Sequence, residues 1–342
     1  MTDSIDLAEI PTMTDKFAAL LVTETSDNSF EQNVVNKSIS DLPANDVLIR
    51  VEYSSLNFKD ALSATGNRGV TKSFPHTPGI DAAGLVEEDS SGTFKKGDSV
   101  IVTGYDLGMN TSGGLAQYIR VPADWVIACP QQLSARESMI YGTAGLTAVL
   151  CVNKLLMAGA KPEDGDVAVS GATGGVGTMA IAMLAKLGFK VAAITGKLEA
   201  NETLTGLGAS KVIDRASLDD LAAKPMAKPQ WAHAVDTLGG DYLFTLVKSL
   251  QYGGSVAACG LASAPNFKAN VYPFIIRNVN LLGVDSVELP IEEKRKVWNQ
   301  LADNFKPDQL GSMAEEITLE QTPQYLNQII NGHALGRYLV KL

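Results

Sequence analysis

The chain has 342 residues, enough for two domains of ordinary size, and 45% of them are hydrophobic, enough to fill well-packed cores. Its formal net charge of −10 argues against a general nucleic-acid surface, because phosphate binding needs concentrated positive charge. The three cysteines, Cys129, Cys151 and Cys259, are far apart and form no CxxC pair, which excludes a disulfide framework and a cysteine-rich zinc lobe and fits free thiols in a reducing compartment.

Residues 1–15 carry Asp3, Asp6, Glu9 and Asp15 and lack a basic start followed by an apolar stretch. They read as a loose acidic lead-in, not a signal peptide. No uninterrupted apolar run is long enough to span a bilayer, so no membrane partner is expected and the expected location is cytoplasmic. Phe17–Val22 is the first strong strand, and DVLIRVEY at 46–53 alternates apolar and charged residues as a second. A polar, glycine-bearing stretch runs from Asn57 through Gly69, followed by the Pro-rich FPHTPGIDAAG at 74–84. KKGDSVIV at 95–102 turns into a strand, and 112–130 has further strand character. The chain up to Pro130 therefore reads as mostly β with bulky loops.

The pattern changes at Ser134. SARESMIYGTAGLTAVLCVNKLLMAG reads as helices, with Ser134 and Glu137 spaced as a capping box. Strand, glycine turn, helix and strand follow in DVAVSGATGGVGTMAIAMLAKLGFKVAAITG, and the alternation continues through SKVIDR, HAVDTLG, YLFTLVKSL and GSVAACG to Asp285. This predicts a doubly wound parallel sheet. EEKRKVWNQLADNF, after Pro290, predicts a helix, and GRYLVKL a final strand. The simplest arrangement is a β-rich domain interrupted by a nucleotide-binding domain, with the C-terminal segment returning to the first.

Gly171, Gly174 and Gly177 are spaced G-x-x-G-x-x-G between the apolar strand 167–169 and the helix 176–187. In that setting the glycines let backbone N–H groups and the helix N-terminus meet a pyrophosphate. An NAD site usually ends the next strand with Asp or Glu, which bonds the ribose hydroxyls and repels a 2′-phosphate. Here the strand ends Thr195-Gly196-Lys197, and Arg215 follows the next strand. That favours NADPH, although Lys197 and Arg215 also read as solvated surface cations and Glu199 sits close by.

SSLNFKD (54–60), PGIDAAG (78–84), GTAGLTA (142–148), SGATGGVG (170–177), LGAS (207–210), AACGLA (258–263), PFIIRNVNLLGVDS (273–286) and GRYLVK (336–341) occur in order. Together they resemble the acryloyl-CoA reductase branch of the quinone-oxidoreductase family, zinc-free members of the medium-chain dehydrogenase/reductase superfamily. The resemblance covers nearly the whole chain after residue 16. It implies an α/β fold: a Rossmann domain at 134–286 inserted in a β-rich GroES-like catalytic domain at 16–133 with 287–342. Zinc members of the superfamily carry an early Cys and a later His-Glu pair. Here the matching positions hold Asn57 and PGIDAAG, and His76 alone makes no tetrahedral zinc site, so no metal is expected.

The resemblance also implies cofactor contacts from Phe58 and Asn57 near the nicotinamide, and from Thr173, Gly174, Gly175 and Val176 around the pyrophosphate. Thr195, Gly196, Lys197 and Arg215 would meet the adenosine phosphate, and Leu261, Ile275, Ser286 and Asn331 would line the rest of the groove. Each has a plain structural alternative: Leu261 and Ile275 as core, Ser286 as a strand-end hydroxyl, Asn331 as a turn residue. The implied reaction is conjugate reduction of a short 2-enoyl-CoA, acryloyl-CoA first, with donors stabilising the enolate that forms. Asn57 is the candidate enolate donor or orienting group, against a turn-capping role. Asp60, Lys59, Tyr105 and water are candidate proton donors, and Arg68, Lys72 and Arg277 candidate CoA-phosphate contacts. Two other functions stay open: a quinone or enone reductase, and a non-catalytic NADPH-binding protein. The apolar NVNLLGVDSV at 278–287 is expected at a sheet edge, where it would pair a homodimer.

Overall fold

A computed structural model describes residues 16–342, so the acidic lead-in expected at 1–15 lies outside the described residues. The chain begins with the antiparallel pair β1 (Lys16–Glu24) and β2 (Phe30–Ser38). After β3 (Val47–Ser55) come helix α1 (Phe58–Ala64) and the strands β4 (Asp81–Asp89), β5 (Ser99–Thr103), β6 (Tyr118–Val121) and β7 (Val126–Ala128). β2 was not foreseen, and its sequence shows why: FEQNVVNKS has no fully buried position and no clean apolar alternation. β4 was also missed. Its DAAGLVEED core is small rather than bulky because it lies between two strands, and a Cβ on Gly84 would sit 2.0 Å from the Arg50 carbonyl.

Helix α2 (Ala135–Met157) opens with the expected capping box: Ser134 Oγ accepts from the Glu137 N–H at 3.1 Å, and Glu137 accepts from the Ser134 N–H at 3.0 Å. The run read as helices is two helical stretches joined by a sharp kink at Gly142, whose non-helical φ of 48° lies in the left-handed region open to glycine. By length and composition α2 could cross a bilayer, contrary to the expectation that no run was long enough. It is instead mostly buried as a core helix.

The alternating region follows as β8 (Asp166–Ser170), α3 (Gly175–Lys186), β9 (Lys190–Thr195), α4 (Asn201–Gly206), β10 (Ala209–Asp214), α5 (Asp219–Ala222), β11 (Trp231–Asp236), α6 (Gly240–Lys248), β12 (Leu250–Ala258), α7 (Tyr272–Arg277) and β13 (Asn280–Gly283). The chain ends with α8 (Ile291–Ala302), β14 (Ala314–Thr318), α9 (Thr322–Ile330) and β15 (Arg337–Lys341).

The strands β8 to β13 form a parallel sheet in the order β10-β9-β8-β11-β12-β13, the doubly wound arrangement, with β13 at one edge. The second large sheet runs β14-β15-β3-β4-β5-β7, with β6 on β3, so the C-terminal strands return to the sheet that the N-terminal part began. One apolar core joins the two. It includes Ala83 and Ile101 from the mixed sheet, Val167 and Val191 from the parallel sheet, and Ile140, Val149 and Val152 of α2 between them. Tyr141 and Trp298 meet edge to face at 6.5 Å, and the Tyr141 hydroxyl donates to the Leu301 carbonyl at 3.0 Å. Burial of each Val or Ile side chain there contributes about 1.5–3 kcal/mol, which makes α2 a rigid floor for what lies above it.

Candidate active site

Strand order in the parallel sheet reverses between β8 and β11, the crevice where open α/β sheets bind ligands. The turn after β8 carries the three spaced glycines. Gly174 is the N-cap of α3 and brings no side-chain hydrogen bond to it, so the first-turn N–H groups are left to a ligand. A Cβ on Gly177 would lie 2.3 Å from the Gly171 carbonyl, and one on Gly175 would lie 3.0 Å from Arg337 Cδ. These residues fit a dinucleotide pyrophosphate: a helix start with no side-chain cap, on a turn packed so closely that only glycine is accommodated at Gly177.

Thr173, Gly174, Gly175 and Val176 therefore come together as expected, and Thr195 joins them, its hydroxyl 3.4 Å from that of Thr173. Thr195 Oγ1 also accepts from the Lys197 N–H at 3.0 Å. The two cations differ. The Lys197 amine donates to the Ala334 carbonyl, and burial, against the Glu199 charge and with a smaller push from Arg215, lowers its pKa. The Arg215 guanidinium lies against Gly196, where a Cβ would come within 3.0 Å of it, and over the ring of Tyr242 at 5.4 Å. Gly336 N–H donates to the Thr173 carbonyl at 2.9 Å, so the segment before β15 borders the same groove.

The remaining contacts expected of the groove divide. Leu261 and Ile275 are 55% and 72% exposed, which removes their reading as core. Ser286 is buried and shares a 2.7 Å hydrogen bond with Thr147 of α2. Asn331 is exposed at the end of α9, with its amide on Asn327, a helix-end position. Phe58 is half-buried at the first position of α1.

Beside the glycine turn lies a closed polar knot. Asp81 opens β4 and is fully buried. It accepts from Ser55 Oγ at 2.7 Å, Asn57 Nδ2 at 2.7 Å, the Thr143 N–H at 2.9 Å and Thr143 Oγ1 at 2.6 Å. Arg337, also buried, donates to Ile140 O, Leu56 O, Asn57 Oδ1 and Ser55 Oγ, and pairs with Asp81 at 3.8 Å. The kink at Gly142 is needed here, since a Cβ would meet Asp81 Oδ2 and Ser55 Oγ at 2.4 Å each.

The knot revises two expected roles. Asn57 does not present a free amide: Nδ2 donates to Asp81 and to Ser55 O, and Oδ1 accepts from Arg337. It therefore orients α1 and leaves no donor for an enolate. Asp60 is fully buried and accepts from the Asn57 N–H at 2.8 Å, Asn57 Nδ2 at 3.3 Å and the Ile80 N–H at 2.9 Å. Burial and then the charge of Asp81 push its pKa up to about 7, against these three donors. Both oxygens are held from inside the protein, so Asp60 fixes the start of α1 and the turn before β4. Tyr105 is likewise committed. Its hydroxyl donates to Leu289 O at 3.0 Å, and its ring stacks on Trp125 and lies 3.5 Å from the Lys294 amine. Lys59 differs: among the described residues its amine meets only the Met109 thioether, at 3.8 Å.

Arg277 is not a CoA contact: it donates to Lys248 O, Leu250 O and Ala227 O. Arg68 pairs with Glu24 and packs over Phe30 and Phe74, and Lys72 is exposed. Asp81, Arg337, Ser55, Thr143 and Lys294 were missed. The signal for Arg337 was there: one arginine heads the otherwise apolar strand RYLV. Among the described residues no group of three His, Cys, Asp or Glu is placed to hold a metal ion, and Asn57, matched in the sequence to a zinc-ligating Cys, offers an amide that bonds Arg337.

Comparison with known proteins fits this geometry. The family described as alcohol dehydrogenase GroES-like domain matches residues 43–131, and that described as zinc-binding dehydrogenase matches residues 175–305. The residues just described do not fit the zinc of the second description. The chain is 45% identical to YhfP of Bacillus subtilis, named for quinone oxidoreduction, over 96% of this chain and 100% of that one. It is 40% identical to the acrylyl-CoA reductase AcuI of Ruegeria pomeroyi, over 95% and 98%. The crystal structure of Escherichia coli YhdH with bound NADPH superposes with a TM-score of 0.90 at 44% identity, covering 94% of this chain and 99% of that one. The chain belongs to the quinone-oxidoreductase family of medium-chain dehydrogenases/reductases, in the branch that holds the acrylyl-CoA reductases.

Proposed function

We propose that this protein is an NADPH-dependent reductase of the C=C bond of a short 2-enoyl-CoA, acryloyl-CoA in the first instance. The observation that carries the reading is that no acid stands at the end of β9: Thr195, Gly196 and Lys197 stand there, with Arg215 against them, next to an uncapped glycine turn. Near-full-length likeness to an acrylyl-CoA reductase supplies the substrate class. When bound, the nicotinamide supplies a hydride to an electron-poor carbon.

The chain's own residues do the rest. The first turn of α3 holds the pyrophosphate, and Arg215 with Thr195 meets the adenosine phosphate. Asp81, Arg337, Asp60 and Asn57 hold α1, and with it Phe58, against the mouth of the groove. Thr147 holds Ser286 from below. Lys294 donates to Thr103 O and Val287 O and so ties the end of β5 to the segment after β13. Lys59 and water are the groups left to deliver the α-carbon proton. The thioester carbonyl takes up the negative charge, so no metal is required. A second reading, reduction of a quinone, is favoured by the name given to the Bacillus relative. We read the β13 edge, where Leu281 is 38% exposed, as the surface that pairs two copies, and the enzyme as acting in the cytoplasm.

Isotope placement tests the chemistry. NADPH deuterated at the transferred position, with acryloyl-CoA, is expected to yield propionyl-CoA carrying deuterium on the β-carbon. Deuterium on the α-carbon, or no saturated thioester, would overturn the reading.

A further inference from the structure

We propose that Tyr242 is a positioning residue for selection of the NADPH 2′-phosphate, acting by holding Arg215 against the end of β9. The inference rests on the NADPH reading above and adds a residue that the sequence did not point to. Arg215 has five N–H donors, and among the described residues no carboxylate or carbonyl is bonded to them. What holds it is the face of the Tyr242 ring, 5.4 Å from Cζ, with Gly196 on its other side. Lys197, the other cation, is committed to the Ala334 carbonyl. The two positive groups stand within electrostatic reach of each other, a repulsion that Glu199 offsets in part, while burial is the main cause of the lowered pKa of Lys197. A phosphate dianion at this strand end would relieve that repulsion, and NADH, with a bare 2′-hydroxyl, would not.

The ring is itself held in register with the pyrophosphate turn. Tyr242 lies in the first turn of α6, which begins at Gly239 and Gly240, both with positive φ. The Gly239 N–H donates to Asp236 Oδ2 at 2.7 Å, and Asp236 Oδ1 accepts from Ser170 Oγ at 2.6 Å. Ser170 is the residue before Gly171. One buried carboxylate thus fixes both the turn for the pyrophosphate and the helix whose ring holds the arginine.

The test is a set of binding titrations with NADPH, NADH and adenosine 2′,5′-bisphosphate, on wild type, Tyr242→Leu, Tyr242→Phe, Arg215→Ala and the Tyr242→Leu/Arg215→Ala double variant. Tyr242→Leu is expected to weaken NADPH and the bisphosphate about tenfold and NADH by less than about twofold, whereas Tyr242→Phe keeps the wild-type preference. In the Arg215→Ala background the leucine substitution is expected to do nothing more, because its effect passes through the arginine. Equal weakening of NADPH and NADH by Tyr242→Leu, or a full additional loss in the double variant, overturns the role of Tyr242. Equal wild-type affinity for the two cofactors overturns the NADPH reading instead.

Discussion

Two polar regions lie within one side chain of each other and are built on opposite rules. In the knot around Asp81, the described donors and acceptors are matched within the protein: Ser55, Asn57 and Thr143 answer the carboxylate, and four acceptors answer Arg337. In the cradle above it, the start of α3 has no side-chain cap and Arg215 has only a ring for company. Arg337 touches both, since it lies under Gly175. In this pair, saturation marks the scaffold and unmet donors mark the site. By that rule, Asn57 and Asp60 belong to the scaffold.

The comparison breaks hardest at Arg337. Arg337→Met leaves Asp81 buried without its cation and is expected to cost about 3–5 kcal/mol, read as a lower urea midpoint. A loss under about 1 kcal/mol would mean that the knot is not the scaffold it looks to be. Gly174→Asp should do the reverse. An aspartate in place of an N-cap glycine stabilises a helix by about a few tenths of a kcal/mol, yet here it would crowd the cradle and repel phosphate. The expected result is NADPH affinity lower by about a hundredfold, roughly 2.7 kcal/mol, with a melting temperature unchanged or raised. Parallel loss of stability and affinity would contradict the division.

Asp60 sharpens it with pH. Its folded pKa of about 7 lies above the ordinary carboxylate value, so burying the charge opposes folding once the group ionises. That penalty is absent below about pH 4, where both states are protonated, and complete above pH 7. The Asp60 contribution therefore lowers stability as pH rises through this window, by at most ~1.4 kcal/mol per pH unit. A kcat profile with an inflection at pH 7 that vanishes in Asp60→Asn would show that Asp60 acts on substrate after all. At the sheet edge, Leu281→Lys is expected to convert a dimer to a monomer in light scattering, with the fold retained. A wild-type monomer at micromolar concentration would remove the proposed pairing. The smallest expected effect is none: exhaustive chelation should leave turnover unchanged, and a metal-dependent rate would contradict the lack of a ligand set among the described residues.

Much of the cradle was legible in the sequence because its parts are local. The glycine spacing, the strand before it and the missing acid after β9 all lie within one short stretch, and each acts through the backbone beside it. The fold class was legible for the same reason, from strands and helices that alternate along the chain. The knot was not. Asp81 and Arg337 come from opposite ends of the chain, and neither has a motif that names its partner. Asn57 and Asp60 were found by position, but their roles depend on where their hydrogen bonds end, which only the folded chain decides. Leu261 and Ile275 show the converse: apolar residues that read equally as core or as groove turn out exposed.

The central claim is that the open cradle serves reduction of an enoyl thioester. Its most direct test is kcat/KM with NADPH for acryloyl-CoA, crotonyl-CoA and a simple quinone on one preparation. Acryloyl-CoA is expected ahead of the quinone by at least about tenfold, or ~1.4 kcal/mol of transition-state stabilisation, and a quinone preferred by the same margin would contradict the enoyl-thioester assignment.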